Sequence, residues 1–132
     1  MKTRWTCSNT SVYNISYHII WCTKYRRPIL DDEVQVKLKE LLNAKADELG
    51  ITIETMEVMT DHVHLFVKAS PIYAPHFIVQ QFKGCSSYTL RKMFSPLRTK
   101  VPTLWTRSYY IESIGHISEK TVKRYIEEQK NI

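Results

Sequence analysis

Apolar and polar positions alternate most clearly between His62 and Ala69, where Val63, Leu65 and Val67 interleave with His62, His64 and Phe66. A period of two is that of a β-strand, and it predicts that the aliphatic trio faces a core while the histidines leave the opposite side. The preceding run, Ile51 to Met59, is also β-like. Only Thr60-Asp61 separates the two, so an antiparallel hairpin is the natural connection. A helical period governs the segment before it, where Val34, Leu38, Leu41, Leu42 and Leu49 recur behind a capping Asp31 or Asp32 and ahead of a stop at Gly50. Upstream, Tyr13 to Thr23 is rich in β-branched and aromatic residues and lacks Gly and Pro, which predicts a long strand ended by the basic turn Lys24-Tyr25-Arg26-Arg27-Pro28. Downstream, Val79, Phe82, Leu90 and Phe94 predict a second helix over Pro75 to Phe94, with Gly84 a weak point inside it. Ser95 to Thr106 contains two prolines and reads as a loop, Ser108 to Ile114 as another strand, and Ser118 as the cap of a final helix reaching about Gln129.

The resulting order is strand, helix, strand, strand, helix, strand, helix. It predicts an α+β fold: a ferredoxin-like (RRM-like) antiparallel sheet with helices on one face and an added C-terminal helix. Length and core content agree, since 132 residues with 43% hydrophobic positions suit one compact core and one domain over 1–132.

Charge adds a partner class. Nineteen Lys and Arg against thirteen Asp and Glu give +6, a balance that favours a polyanion such as nucleic acid without requiring one. Cys7, Cys22 and Cys85 form no C-x-x-C pair, so neither a disulfide framework nor a zinc knuckle is indicated. The opening MKTRWTCSNT lacks the apolar stretch of a signal peptide, and no run approaches the ~18 apolar residues of a membrane span. A cytoplasmic protein with no membrane partner is the expectation.

His62 and His64, two apart on a strand, start about 6.5–7 Å apart at the backbone on one face and can converge on a cation. Two imidazoles do not complete a site, so a third ligand is required, and a structural role for the pair stays open. In the final helix Tyr125 and Gln129 lie one turn apart and can enter one pocket, or Tyr125 can simply pack beside Val122 and Ile126. Lys24, Tyr25, Arg26 and Arg27 interleave an aromatic with cations, as phosphate contacts plus base stacking require, although a solvated turn has the same composition. Lys83 and Arg91, with Ser87, form a polar stripe at i, i+4 and i+8 that can extend a phosphate-binding surface or be an ordinary wet helix face. His18, His76 and His116 show no such pairing and have no assigned role. No Gly-rich phosphate loop or nucleophile elbow occurs.

Taken in order, YHIIWCTKYRRPIL, EVMTDHVHLFV, FKGCSS and LWTRSYYIES followed by TVKRYIEEQ resemble the single-tyrosine HUH transposases of insertion sequences. The resemblance runs from about Tyr13 to Gln129. It implies that His62, His64 and Gln129 bind a divalent cation, Mg2+ or Mn2+. It further implies that Tyr125 attacks the scissile phosphate of single-stranded DNA at hairpin-bearing element ends, and that the protein works as a homodimer with composite sites. Thr60 stands where many relatives have proline, which changes turn stiffness but removes no reactive group. Two other functions remain compatible with the residues: a noncatalytic single-stranded nucleic-acid-binding module, and a metal-dependent hydrolase that uses water while Tyr125 positions substrate.

Overall fold

In a computed structural model, residues 6–7 and 12–114 are described. The helix expected from Ser118 to about Gln129, with Tyr125, falls on residues outside the described ones, as do Cys7's side chain and His116. The elements are β1 (Thr6–Cys7), β2 (Val12–Tyr13), β3 (Ile15–Cys22), α1 (Asp32–Leu49), β4 (Thr52–Val58), β5 (His62–Ala69), α2 (Pro75–Met93), α3 (Ser95–Thr99) and β6 (Tyr110–Ser113). Strands β3 to β6 form one antiparallel sheet in the order β4-β5-β3-β6. With α1 and α2 as the crossovers, this is the βαββαβ arrangement expected of a ferredoxin-like fold.

Alternation decides the faces. Ile19 and Trp21 of β3 and Val63, Leu65 and Val67 of β5 are all buried. They meet Val34, Leu38, Leu42 and Ala46 of α1 and Ile78, Val79, Phe82 and Leu90 of α2 in one cluster. Each Val, Leu, Ile or Phe among them contributes about 1.5–3 kcal/mol when fully buried. At its heart the Trp21 ring stacks on Phe82 at 6.4 Å and meets Trp105 edge-on at 5.8 Å. α1 begins where Asp31 accepts a hydrogen bond from the Val34 amide at 2.9 Å, and it ends at Gly50, whose φ of 69° is a left-handed conformation that a side chain would strain. The outer strand β4 carries a bulge at Glu54, between Ile53 and Thr55, a device that discourages further edge pairing.

Three expectations change. The loop over Ser95 to Thr106 contains α3, because Pro96 falls in a first turn, where its missing N–H costs nothing. The first strand divides, with Val12–Tyr13 pairing Thr6–Cys7 and only Ile15–Cys22 joining the main sheet. The last strand is shorter than Ser108 to Ile114: the Thr106 amide donates to Cys22 O of β3, but the carbonyls of residues 106–108 accept from the Lys83 ammonium of α2, and regular pairing with β3 covers only Tyr110–Ser113.

Candidate functional site

The second face of the sheet, opposite α1 and α2, collects the polar chemistry. His62 and His64 of β5 project there, with ring centroids 5.2 Å apart, as the alternation predicts. Register brings other strands alongside: Cys22 pairs with His62, Ile20 with His64, and Glu57 of β4 with His64. His18 therefore occupies the same face. Its Nε2 lies 3.2 Å from Nδ1 of His64, and its Nδ1 lies 3.9 Å from a carboxylate oxygen of Glu112 on β6. Tyr110 donates to the other oxygen of Glu112 at 2.5 Å.

His62 is held from the turn before β5. Its Nδ1 sits 2.7 Å from Asp61 Oδ1, and the second oxygen of Asp61 is 3.6 Å from the Arg26 guanidinium. The His62 hydrogen bond, with smaller contributions from the charges of His62 and Arg26, holds the Asp61 carboxyl below its ordinary range against the opposing effect of burial. Burial, then the neighbouring rings of His62 and His18, depresses His64, while Glu57 opposes this. A depressed histidine is neutral at pH 7, the form that ligates a cation.

Arg26 reaches Asp61 because the basic turn is clamped on both sides. The Thr23 amide donates to Asp61 O, the Lys24 amide to Leu104 O, and buried Thr23 donates its hydroxyl to Arg27 O at 2.7 Å. The turn is one of 3-10 helix, Lys24–Arg26, in which Tyr25 and Arg26 take φ of 58° and 51°. Left-handed backbone at two successive non-glycine residues is strained, and here it turns the Tyr25 ring outward, 67% exposed, with the Lys24 ammonium 5.2 Å and the Arg27 guanidinium 5.9 Å from its centroid. A cavity of about 570 Å³ adjoins the turn and is bounded by Lys24, Tyr25, Arg26, Tyr109 and Tyr110.

Lys83 and Arg91 are not part of this assembly. Lys83 is 9% exposed and donates from Nζ to the carbonyls of Thr106, Ser108 and Arg107 at 2.6, 3.2 and 3.4 Å. Burial lowers its pKa from the ordinary lysine range. The ammonium ties α2 to residues 106–108, which cross over this part of the helix. Arg91 donates to the carbonyls of Pro102 and Arg98 at 2.8 and 3.4 Å, binding α2 to α3 and to the segment after it. Of the residues without an assigned role, His18 belongs to the site. Its place in the β3 alternation puts it on the same side as Ile20 and Cys22, but its partner comes from a strand 46 residues away.

Among the described residues no three His, Cys, Asp or Glu side chains form a group able to hold a metal. His62 and His64 fit as two ligands of a cation: the Nδ1 of each faces a protein partner, so Nε2 would be the nitrogen offered to the ion. A third ligand from elsewhere in the chain is needed, and Gln129 lies outside the described residues.

The described residues thus form a ferredoxin-like sheet with a paired-histidine strand on the face away from its helices. The sequence profile of the family described as "Transposase IS200 like" matches residues 11–129, and the chain belongs to that family. It is 38% identical over 120 residues to the ISDra2 transposase TnpA of Deinococcus radiodurans, covering 89% of this chain and 86% of the relative. It is also 28% identical to the transposase for insertion sequence element IS200 of Salmonella typhimurium, covering 97% and 82%. The crystal structure of a candidate transposase from Deinococcus radiodurans R1 superposes with a TM-score of 0.78 at 33% identity, over 94% of this chain and 97% of that one. A REP-associated tyrosine transposase bound to a REP hairpin shares the fold, with a TM-score of 0.58 at 11% identity over 85% and 62%. Membership places the protein among transposases, enzymes that cleave and rejoin DNA. No helix among the described residues is long and apolar enough to cross a membrane.

Proposed function

We propose that this protein cleaves and rejoins single-stranded DNA at insertion-sequence ends, with Tyr125 as nucleophile and a divalent cation, Mg2+ or Mn2+, held by His62, His64 and Gln129. The observation that carries the reading is the pair of imidazoles on one sheet face, each engaged through Nδ1 by a partner within the fold. His62, His64 and Gln129 would hold the cation, which when bound would reduce the negative charge on the scissile phosphodiester.

The phenolic oxygen of Tyr125 forms a bond to phosphorus as the bond from phosphorus to the 3′ oxygen breaks. The phenol gives up one proton and the departing 3′ oxygen gains one, leaving as a hydroxyl, while the 5′ phosphate stays on Tyr125 as a phosphodiester. Attack by a 3′ hydroxyl on that linkage reverses the step, so strands rejoin without a nucleotide cofactor. A tyrosine near pKa 10 is a weak nucleophile at neutral pH, which is why a phosphate with reduced negative charge is needed. Lys24, Arg26 and Arg27 supply positive charge beside the exposed Tyr25 ring and the adjoining cavity, a combination suited to unpaired nucleotides. Hairpin-bearing ends are supported by the REP hairpin bound in the related structure. A homodimer with the tyrosine helix of one subunit completing the histidine site of the other is part of the proposal.

The test incubates purified protein with single-stranded DNA carrying the element's ends, with Mn2+ or with EDTA, and resolves products on a denaturing gel. A covalent protein–DNA adduct is expected with Mn2+ and is lost in EDTA and in Tyr125→Phe. Binding without adduct on verified ends favours a noncatalytic binding module. Cleavage that persists in Tyr125→Phe favours hydrolysis by water.

A further inference from the structure

We propose that His18 is a positioning residue for the cation site: with Glu112 it holds His64 in the tautomer whose Nε2 is bare. The inference rests on reading His64 as a ligand. A neutral imidazole carries one proton, so across the 3.2 Å contact between His18 Nε2 and His64 Nδ1 one ring donates and the other accepts. If His18 donates, His64 keeps its proton on Nε2 and cannot ligate through it. If His64 donates, its Nε2 lone pair faces outward. Glu112 selects the second arrangement, because its carboxylate, 3.9 Å from His18 Nδ1, favours the proton on that nitrogen and leaves His18 Nε2 as acceptor. Tyr110, donating to the other carboxylate oxygen, keeps Glu112 in place.

The two imidazoles of the site are then held alike. His62 is oriented by Asp61 directly at 2.7 Å. His64 is oriented through His18 by Glu112, along a row that crosses β5, β3 and β6. This row depends on register: His18 pairs with Glu112 on one side and Ile20 with His64 on the other. The bland alternative is that His18 only fills space, its ring 5.2 Å from that of His64 and 6.2 Å from Tyr110.

Substitution separates the two. His18→Phe keeps the packing and removes the acceptor, whereas His18→Gln keeps an amide oxygen to accept from His64 and an NH2 to donate toward Glu112. On the metal-free full chain, nitrogen-15 NMR of the imidazoles reads the His64 tautomer directly. The wild type and His18→Gln are expected to carry the His64 proton on Nδ1, and His18→Phe to shift it toward Nε2. Mn2+ titration is expected to weaken by about tenfold or more in His18→Phe, the usual consequence of losing an outer hydrogen-bond partner, with His18→Gln restoring most of the affinity. Glu112→Gln, an exposed change that leaves the core intact, is expected to move the His64 proton in the same direction as His18→Phe and serves if that variant does not fold. A His64 proton on Nε2 in the wild type, or an unchanged tautomer in His18→Phe and Glu112→Gln, overturns the inference. Failure of the wild type to bind Mn2+ refutes the cation reading instead, and the tautomer measurement still judges His18.

Discussion

Replacing Lys83 by methionine separates its two possible roles. The ammonium makes two well-placed hydrogen bonds, at 2.6 and 3.2 Å, and a longer one at 3.4 Å, to the segment that leads into β6. A hydrogen bond to a charged group is worth about 1.5–3 kcal/mol, and dehydrating the ammonium offsets much of that sum. Arg107 and Ser108 are exposed, so their carbonyls regain water in the variant, whereas the Thr106 carbonyl is recovered less completely. A net loss of about 2 kcal/mol follows. With an unfolding entropy of about 2.1 cal/mol/K per residue over 132 residues, this lowers Tm by about 7 °C. Calorimetry measures the shift, and hydrogen exchange is expected to accelerate at the amides of Tyr110 to Ser113 before the rest of the sheet. Affinity for single-stranded DNA, and its dependence on salt, are expected to stay at wild-type values, because the ammonium has no hydrogen left for a phosphate. An unchanged Tm together with a shallower salt dependence refutes this reasoning and restores Lys83 as a phosphate contact.

Further expectations concern the core, the turn and one thiol. Ser86→Ala strands the indole N–H of Trp105, which donates to Ser86 Oγ at 3.0 Å in the core, and a loss of about 1–3 kcal/mol in denaturant unfolding is expected. Tyr25→Asn relieves a left-handed tyrosine and stabilises the fold by up to about 1 kcal/mol. The same variant is expected to lose about 1–3 kcal/mol of affinity for single-stranded DNA in fluorescence anisotropy, and equal affinity would remove Tyr25 from the binding surface. Burial pushes the Cys85 thiol above its ordinary range, against the opposing charge of Lys45. Iodoacetamide at pH 8 is therefore expected to label it at least about tenfold more slowly in the native protein than in urea, and equal rates would contradict the burial.

What could be read in advance depended on whether a signal was local. The β5 alternation placed the histidines opposite the core, and the Asp31 cap and Gly50 stop bounded α1, because each depends on residues within one or two turns of chain. The Lys83 stripe is ambiguous in the sequence for the converse reason. Helical spacing puts Lys83, Ser87 and Arg91 on one side of α2, but whether water or protein lies there is settled by residues 101–109. His18 carries no signal in the sequence because its partner is supplied by strand order, not by spacing. The α3 helix was missed where two prolines suggested a loop, although a proline in the first turn is compatible with helix. Tyr125 and Gln129 rest on residue type and family membership, since both lie outside the described residues.

The row from His64 through His18 to Glu112 makes the connections of this protein unequal in the length changes they can accept. β6 has four residues, and the five-step path to it from Trp105, which bridges Thr23, is held by Lys83 on the way. One inserted residue between Trp105 and Tyr110 that displaced the strand by one position would turn Glu112 and Tyr110 toward the helices and bring Ile111 to the histidine face. The turn at Ser70 to Ala74, where Pro71 and Ile72 are exposed, is under no such constraint. Among active relatives, gaps should therefore accumulate after β5 and be rare before β6, and a peptide tag inserted at Ile72 should leave the site intact.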